Sequence, residues 1–158
     1  KNRCKDCPSR SASFGSPSIL AGEVAMTDIS SQLHLAYCHI SLKHIMRLCQ
    51  VYGLNINIFD RLPYSILGLR GKEIVFATGF HEDGKLEDLI FIEPRTGKWR
   101  LALGHANWLG HWDMATDDFR ILKSPMHYLQ TGGIGVFPLN KSAKMQLEML
   151  KLDLGAAA

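Results

Sequence analysis

The clearest pattern of hydrophobic and polar positions lies between residues 72 and 103. Residues 72–80 are rich in β-forming side chains, and residues 86–93 form a second apolar run. An Asp-Gly pair at 83–84 separates these runs and favours a tight hairpin turn, while Arg-Thr-Gly at 95–97 turns the chain again. The pattern predicts a three-stranded antiparallel meander over residues 72–103.

The third strand of this meander has the most regular alternation. Trp99, Leu101 and Leu103 would point to one side of the sheet. The residues that would point to the other side are Lys98, Arg100 and Ala102. Alternation of this kind is typical of a sheet with one buried and one solvent-exposed face.

The segment before the meander, residues 32–59, changes its periodicity twice. Residues 32–40 alternate apolar and polar side chains in their first half, which favours a strand, with a continuous helix from Thr27 as the alternative. Residues 54–59 alternate again and favour a second strand. One strand is therefore expected before residues 41–53 and one after them.

Those intervening residues have apolar side chains at helical spacing from Leu42 to Tyr52. Ser41 can cap the first turn of a helix, and Gly53 can end it in a left-handed conformation. The N-terminal segment is therefore predicted to be strand-helix-strand, either as a βαβ unit or as a helix flanked by two antiparallel strands.

The region after the meander predicts shorter elements. We expect a strand near residues 119–122, a short helix that begins at Ser124-Pro125, a strand over 134–139 and an amphipathic helix over about 142–152. The predicted fold class is α+β, with a mainly antiparallel sheet and a C-terminal helix.

The two ends of the chain differ in composition from the rest. Residues 1–25 are rich in Ser, Gly and Pro and predict an arm, which a second subunit could hold in place in a homodimer. Residues 155–158, Gly-Ala-Ala-Ala, resemble a cloning remnant. A single α+β domain is expected over residues 26–154, because 158 residues is an ordinary length for one domain.

Composition and charge narrow the class of protein. Apolar residues make up 46% of the chain and charged residues 21%, and no stretch approaches the roughly 18 uninterrupted apolar residues that span a bilayer. The net charge is only +3, and the Lys and Arg residues are spread along the chain, which argues against a nucleic-acid partner. Four cysteines without a secretory hydrophobic region favour a soluble, cytoplasmic protein.

Candidate chemistry is concentrated in residues 104–113, Gly-His-Ala-Asn-Trp-Leu-Gly-His-Trp-Asp. Imidazole titrates near neutral pH, and loops placed by a rigid sheet often carry functional groups. The side chains predicted to bind a ligand are His105, Asn107, Trp108, His111 and Trp112. The alternative is structural, because Trp rings also anchor loops to a core and polar groups also hydrogen-bond turns.

A nucleophilic triad is a second interpretation of the same loop. Cys38 would act as the thiolate and His111 as the base, and Asp113 or Asn107 would orient the imidazole. Such a triad predicts a Cys/His-dependent hydrolase or acyl-transfer enzyme. The alternative for Cys38 is the ordinary role of a free cysteine, a small buried apolar side chain.

Cys4 and Cys7 have the spacing of one half of a structural zinc site. The other two ligands would have to come from Cys38, His39, His44 or Cys49. A zinc-stabilised recognition module is therefore a third interpretation. Its alternatives are a disordered arm that carries two exposed thiols, or a disulfide within the arm that forms on oxidation.

No motif in the chain names a reaction or a cofactor. Thr-Gly-Gly-Ile-Gly at 131–135 lacks the Lys-Ser/Thr of a P-loop and indicates a turn into a strand. His-Glu-X-X-His, Gly-X-Ser-X-Gly and EF-hand motifs are absent, and no cofactor is expected. The function expected first is binding of a small molecule or a protein partner at a Trp/His-lined site, while the sequence leaves open whether the protein is an enzyme.

Overall fold

The structure of the protein is a computed structural model that describes residues 28–110 and 120–156. The helices in these ranges are α1 (Ile29–Cys38), α2 (Leu42–Tyr52), α3 (Pro125–Gln130) and α4 (Lys141–Ala156). The strands are β1 (Gly68–Arg70), β2 (Glu73–Ala77), β3 (Leu89–Ile92), β4 (Trp99–Leu101), β5 (Trp108–Leu109) and β6 (Phe137–Pro138). Two short 3-10 helices between α2 and β1 are Ile56–Asp60 and Pro63–Ser65. The predicted α+β class with a C-terminal helix is confirmed.

Strands β1 to β4 form one antiparallel sheet in the order β1-β2-β3-β4. Its register places Val75 opposite Phe91, and Phe91 opposite Arg100. The meander predicted for residues 72–103 is therefore confirmed, and β1 adds a fourth strand by pairing with β2. Strands β5 and β6 form a separate two-stranded antiparallel sheet.

Both faces of the central strands β2 and β3 are buried. The residues that one face contributes to a core shared with α2 and α3 are Ile74, Phe76, Ile90 and Ile92. The other face joins a second cluster that includes α1, and its members are Ile29, Leu33, Ala36, Val75, Ala77, Leu86, Leu89 and Phe91. The expectation of one solvent-exposed face is therefore wrong for these strands, because α1 covers that face.

Helix α1 replaces the strand predicted for residues 32–40. The residues that bury one side of this helix against the sheet at helical spacing are Ile29, Leu33 and Ala36. Leu35 and Tyr37, which produced the strand-like alternation, remain 56% and 47% exposed. The helix that was the alternative for this segment is the correct description, because burial follows a helical period.

Two local features place α1. The carboxylate of Asp28 accepts the backbone N–H groups of Ser30 and Ser31, each at 3.3 Å, and so caps the first turn. On the side that faces β1, a Cβ atom at Gly68 would stand 2.6 Å from the Cβ of Ala36. Only glycine at that position permits such a close approach of helix and strand.

The second strand predicted in this region, residues 54–59, is also wrong. The side chain of Asn55 accepts the backbone N–H of Asn57 at 3.0 Å and starts a 3-10 helix instead. Leu54 and Ile58 are buried on the core side of this turn. The predicted strand-helix-strand segment therefore consists of α1, α2 and a 3-10 helix, because local capping satisfies backbone groups that a strand would need to pair.

Helix α2 is confirmed together with both of its predicted ends. Ser41 Oγ accepts the backbone N–H of His44, the His44 ring accepts the backbone N–H of Ser41, and Gly53 ends the helix with a φ of 69°. The short helix begun by Ser124-Pro125 is confirmed as α3, and the C-terminal helix is confirmed as α4.

The elements predicted after the meander are shorter than expected. Within the described residues, the strand near 119–122 is reduced to one bridge between Ile121 and Val136, and the strand over 134–139 is reduced to β6. The turn predicted at 131–135 is confirmed, and three of its glycines have positive φ.

Several sequence predictions fall outside the described ranges. They concern the arm of residues 1–25 and the loop residues His111, Trp112 and Asp113. At the other end, α4 continues to Ala156. Among the helices of the described ranges, none is both long enough and apolar enough to cross a membrane.

Candidate functional site

The loop after β4 is organised by one carboxylate, that of Asp88, which precedes β3 and is 0% exposed. Its Oδ1 accepts the backbone N–H groups of Leu89 at 2.8 Å and Leu103 at 2.9 Å. Its Oδ2 accepts those of His105 at 2.8 Å and Ala106 at 3.4 Å. A carboxylate removed from water needs such donors, and the three bonds to Leu103, His105 and Ala106 fix the path of the chain from β4 into the loop.

Burial alternates along this loop. Ala106 and Leu109 are 0% and 1% exposed and point into the core. His105, which precedes Ala106, and Asn107, which follows it, are exposed. The loop is therefore held against the core by two buried apolar side chains and by hydrogen bonds to Asp88, while the side chains of His105 and Asn107 lie at the surface.

The second half of the loop is tied to the start of α4. The carbonyl of Asn107 accepts the backbone N–H of Leu139 at 2.9 Å, beside the pairing of β5 with β6. Asn140 Nδ2 donates to Asn107 Oδ1, and Asn140 Oδ1 accepts the backbone N–H of Ala143 at 2.9 Å. Asn107 is thus held in a hydrogen-bonded chain that also caps α4.

Two small clefts border the loop. The first has a volume of about 280 Å³ and lies between the loop and the N-terminus of α1. The ionisable side chains of its lining are those of Asp28, His81, Lys85, Glu87 and His105. This cleft therefore brings two imidazoles and two carboxylates around one concavity.

The second cleft has a volume of about 240 Å³ and borders the turn from β4 into β5. Its side-chain lining comes from Thr78, Phe80, Glu87, Asn107 and Trp108. Because Glu87 lines both clefts, the two concavities adjoin along the segment between β2 and β3.

An exposed aromatic pair stands beside the second cleft. The ring centroids of Phe80 and Tyr64 lie 4.6 Å apart in an edge-to-face arrangement, although the residues are 43% and 64% exposed. Tyr64 and Ser65 both have a φ of 55°, which residues other than glycine seldom adopt. Strained backbone that presents an exposed ring is a feature associated with binding sites.

We refer to this surface as the loop face and define it by His105, Asn107, Trp108, Phe80 and Tyr64. Three of the five predicted ligand-binding residues lie on it, although His105 and Trp108 line different clefts. The other two, His111 and Trp112, lie outside the described residues. Trp108 is half-buried, as the structural alternative also expects.

Sequence reasoning missed three residues that shape the loop face, Asp88, Phe80 and Tyr64. Asp88 had a detectable signal, because it is a carboxylate inside the apolar run of residues 86–93. Tyr64 had none, because its strained backbone and its contact with Phe80 arise from tertiary packing.

Cys38, the nucleophile of the predicted triad, is half-buried in the last turn of α1, and its Sγ lies 3.9 Å from Nε2 of His34. The cleft that contains His105 borders Asp28 at the opposite end of α1, about 15 Å away at 1.5 Å per helical residue. The base and the orienting acid of the triad lie outside the described residues, so the triad stays a prediction.

The described residues contain no group of three His, Cys, Asp or Glu side chains that could hold a metal ion. Cys38 and Cys49 lie on different helices, α1 and α2. Cys4 and Cys7 lie outside the described residues, so the zinc site of the arm stays a prediction.

Comparisons of the chain with protein-family models, with curated proteins and with solved structures gave no match. The geometry of the loop face therefore carries the functional interpretation. Its components are a loop fixed by Asp88, two adjoining small clefts and an exposed aromatic pair.

Proposed function

We propose that this protein is a binding module that recognises a protein partner through the loop face. The observation that carries the proposal is the fixation of the loop by Asp88, whose hydrogen bonds to the backbone N–H groups of Leu103, His105 and Ala106 hold His105 at the surface. A surface that is ordered before the partner arrives loses little conformational entropy on binding.

The size of the clefts favours a protein partner over a small-molecule ligand. Volumes of about 280 and 240 Å³ lie below the roughly 300–1,000 Å³ of typical small-molecule pockets. Each cleft instead has the dimensions expected for a single anchoring side chain, and two adjoining clefts suit two anchors of one segment.

The chemistry of the loop face also suits such a partner. Phe80 and Tyr64 offer exposed ring surface, which is enriched at the centres of protein interfaces. Glu87 lies between the clefts and can accept a hydrogen bond from a partner donor. The homodimer predicted through residues 1–25 stays a separate prediction, because that arm lies outside the described residues.

The proposal is tested with peptides selected from a displayed random library on the full chain. The selected peptides should shift the NMR signal of the Trp108 indole N–H, and Phe80→Ala should weaken their binding about tenfold because it removes the exposed ring. Ile56→Ala is the matched control, since Ile56 is 58% exposed outside the loop face.

Equal binding of the selected peptides to wild type and Phe80→Ala would contradict the proposal. So would a selection that yields only peptides whose signals map to other surfaces, including the opposite end of the sheet near Trp99.

A further inference from the structure

The opposite end of the four-stranded sheet concentrates positive charge. The β1–β2 turn and the β3–β4 turn lie at the same end, because Ile74 at the start of β2 is paired with Ile92 at the end of β3. Lys72 lies in the first turn and Arg95 in the second. Strand pairing therefore brings together cations that are well separated in the sequence.

One cleft at this end, with a volume of about 370 Å³, lies between α2 and the two turns. Its apolar wall is formed by Leu48, Tyr52, Leu69 and Pro94. Its charged rim is formed by His44, Arg47, Lys72, Glu93 and Arg95. The cleft therefore has an apolar interior and three cationic side chains from three different elements around its mouth.

A second cleft, with a volume of about 470 Å³, adjoins the first and shares Lys72 and Glu93 with it. Its other charged residues are Arg70, Glu73, Lys98 and Arg100. Together the two clefts are lined by six Lys and Arg side chains and two Glu side chains, an excess of four positive charges. This excess is larger than the net charge of +3 on the whole chain.

The two clefts differ in how many of their charges are already engaged. In the second cleft, Arg100 Nη2 donates to Glu73 Oε2 at 2.9 Å, and the Arg100 guanidinium lies 3.9 Å from the ring centroid of Phe91. These contacts compensate that arginine internally. The second cleft is therefore the less suitable of the two for a charged ligand.

In the first cleft, the cations remain available. Within the described part of the chain, Arg47, Lys72 and Arg95 have no ion-pair partner. The carboxylate of Glu93 accepts a hydrogen bond from Thr96 Oγ1 at 2.7 Å. These three cations outnumber Glu93, the one carboxylate that lines the cleft, and the resulting net positive charge attracts an anion.

The imidazole of His44 adds a hydrogen-bond donor to this rim. Its Nδ1 accepts the backbone N–H of Ser41 at 3.2 Å, which leaves Nε2 as the ring nitrogen that can donate. An Nε2–H group can donate a hydrogen bond to an anionic oxygen without requiring a charged ring.

We propose that the cleft between α2 and the two turns binds a small phosphorylated molecule that carries a planar ring. Arg47, Lys72 and Arg95 would hold the phosphate, because guanidinium groups match the geometry of phosphate oxygens and an ammonium group supplies a compact charge. The ring would lie against the apolar wall of the cleft, where Tyr52 offers an aromatic surface. This site is independent of the loop face.

A nucleic-acid strand fits this end of the sheet less well than a small molecule. The cations surround one concavity instead of following a continuous groove. Glu93 lies on the wall shared by the two clefts, where a phosphate backbone that passed from one to the other would meet its negative charge. A single phosphate group in the first cleft also faces Glu93, but there three cations outnumber that carboxylate.

The test is isothermal titration calorimetry of the full chain in phosphate-free buffer of low ionic strength, with adenosine monophosphate, phenyl phosphate, inorganic phosphate, adenosine and a short oligouridylate as probes. We expect adenosine monophosphate or phenyl phosphate to bind at least about tenfold more tightly than inorganic phosphate or adenosine, because only the former pair a ring with a phosphate. The affinity should fall as salt is added, since the cations are exposed.

Lys72→Gln and Arg95→Gln should each weaken the binding of the phosphorylated ring compound about tenfold. Lys144→Gln is the matched control, because Lys144 is an exposed lysine on α4 that lines neither of the two basic clefts. Both cleft variants replace exposed side chains, and unchanged thermal unfolding would show that they fold normally.

Four outcomes would overturn the proposal. They are no binding of either phosphorylated ring compound at about 10 mM, equal affinity for adenosine, equal loss of binding in Lys144→Gln, and a much higher affinity for oligouridylate. The last result would identify a nucleic-acid surface instead of a small-molecule site.

Discussion

The two ends of the four-stranded sheet differ in whether their charged side chains are buried or exposed. At one end, the loop end, Asp88 is completely buried and each of its oxygens accepts two backbone N–H groups. At the other, the turn end, Lys72 and Arg95 lie on tight turns without ion-pair partners in the described part of the chain. The ends are about 17 Å apart, the length of five strand residues.

Because of this difference, the charged groups at one end are expected to affect folding stability and those at the other end to affect ligand binding. A buried carboxylate is stabilising only while its donors are in place, and its removal leaves those donors unsatisfied in the core. Exposed cations contribute little to folding, because water solvates them in the folded and unfolded states alike. We therefore expect substitutions at the loop end to change the free energy of unfolding and substitutions at the turn end to change anion affinity.

The largest effect is expected for Asp88→Ala. The substitution leaves four backbone N–H groups without their acceptor, and the free energy of unfolding should fall by about 3–5 kcal/mol. Urea unfolding followed by circular dichroism measures this change. The matched substitution at the turn end is Glu73→Ala, which removes a partly exposed carboxylate paired with Arg100 and should cost no more than about 1 kcal/mol.

Similar decreases in the free energy of unfolding for Asp88→Ala and Glu73→Ala would contradict the expected difference between the two ends. Asp88→Asn is a more conservative change at the same position, because its amide retains one acceptor oxygen but turns an NH₂ group toward backbone donors. Its loss should therefore lie close to that of Asp88→Ala, not close to that of Glu73→Ala.

The sequence predicted those elements whose signals lie within a few residues of one another. Ser41 and Gly53 mark the ends of α2 through their own backbone chemistry, and the Asp-Gly pair at 83–84 marks a turn. The segment 32–40 is different, because its alternation suits a strand while its burial requires a helix. Contact with Gly68 on a strand far along the chain decides between them, and no local pattern contains that contact.

The same distinction applies to the two candidate sites. The loop end was detectable because His105 and Trp108 are close in sequence and unusual in type. The basic clefts were not, because their cations come from α2 and from two turns that meet only through strand pairing. An even distribution of Lys and Arg along the chain therefore did not predict their distribution on the folded surface.

The second largest effect is expected for Gly110→Ala at the loop end. Gly110 has a φ of 89°, and a Cβ atom there would clash with the carbonyl oxygen of Gly135. Backbone strain and overpacking together should lower the free energy of unfolding by about 2–4 kcal/mol.

The control at the turn end is Gly97→Ala. Gly97 has a φ of 71°, but a Cβ atom there would meet no heavy atom within 4 Å. This variant isolates the cost of the left-handed conformation, about 1–2 kcal/mol. If urea unfolding gave Gly110→Ala and Gly97→Ala the same decrease in the free energy of unfolding, the contact between residue 110 and Gly135 would not contribute to the cost of the substitution.

The smallest effect concerns Tyr128, which lies beneath the loop end and stacks on Phe76 with ring centroids 6.2 Å apart. Burial raises the pKa of Tyr128, and the nearby Arg61 opposes this by lowering it. Because the folded state retains the phenol proton more strongly than the unfolded state, the resulting stabilisation is fully present below the unfolded pKa of about 10 and is lost as the pH rises through the folded pKa.

Tyr128→Phe removes this titration. Between neutral pH and pH of about 9 its free energy of unfolding should depend on pH as that of wild type does, whereas above about pH 10 it should decline less steeply. Urea unfolding at a series of alkaline pH values gives both slopes, and absorbance of the tyrosinate reports the ionisation itself. Parallel slopes above pH 10 would show that the loop end admits solvent to this phenol, so that only Asp88 distinguishes the interior of that end from the exposed turn end.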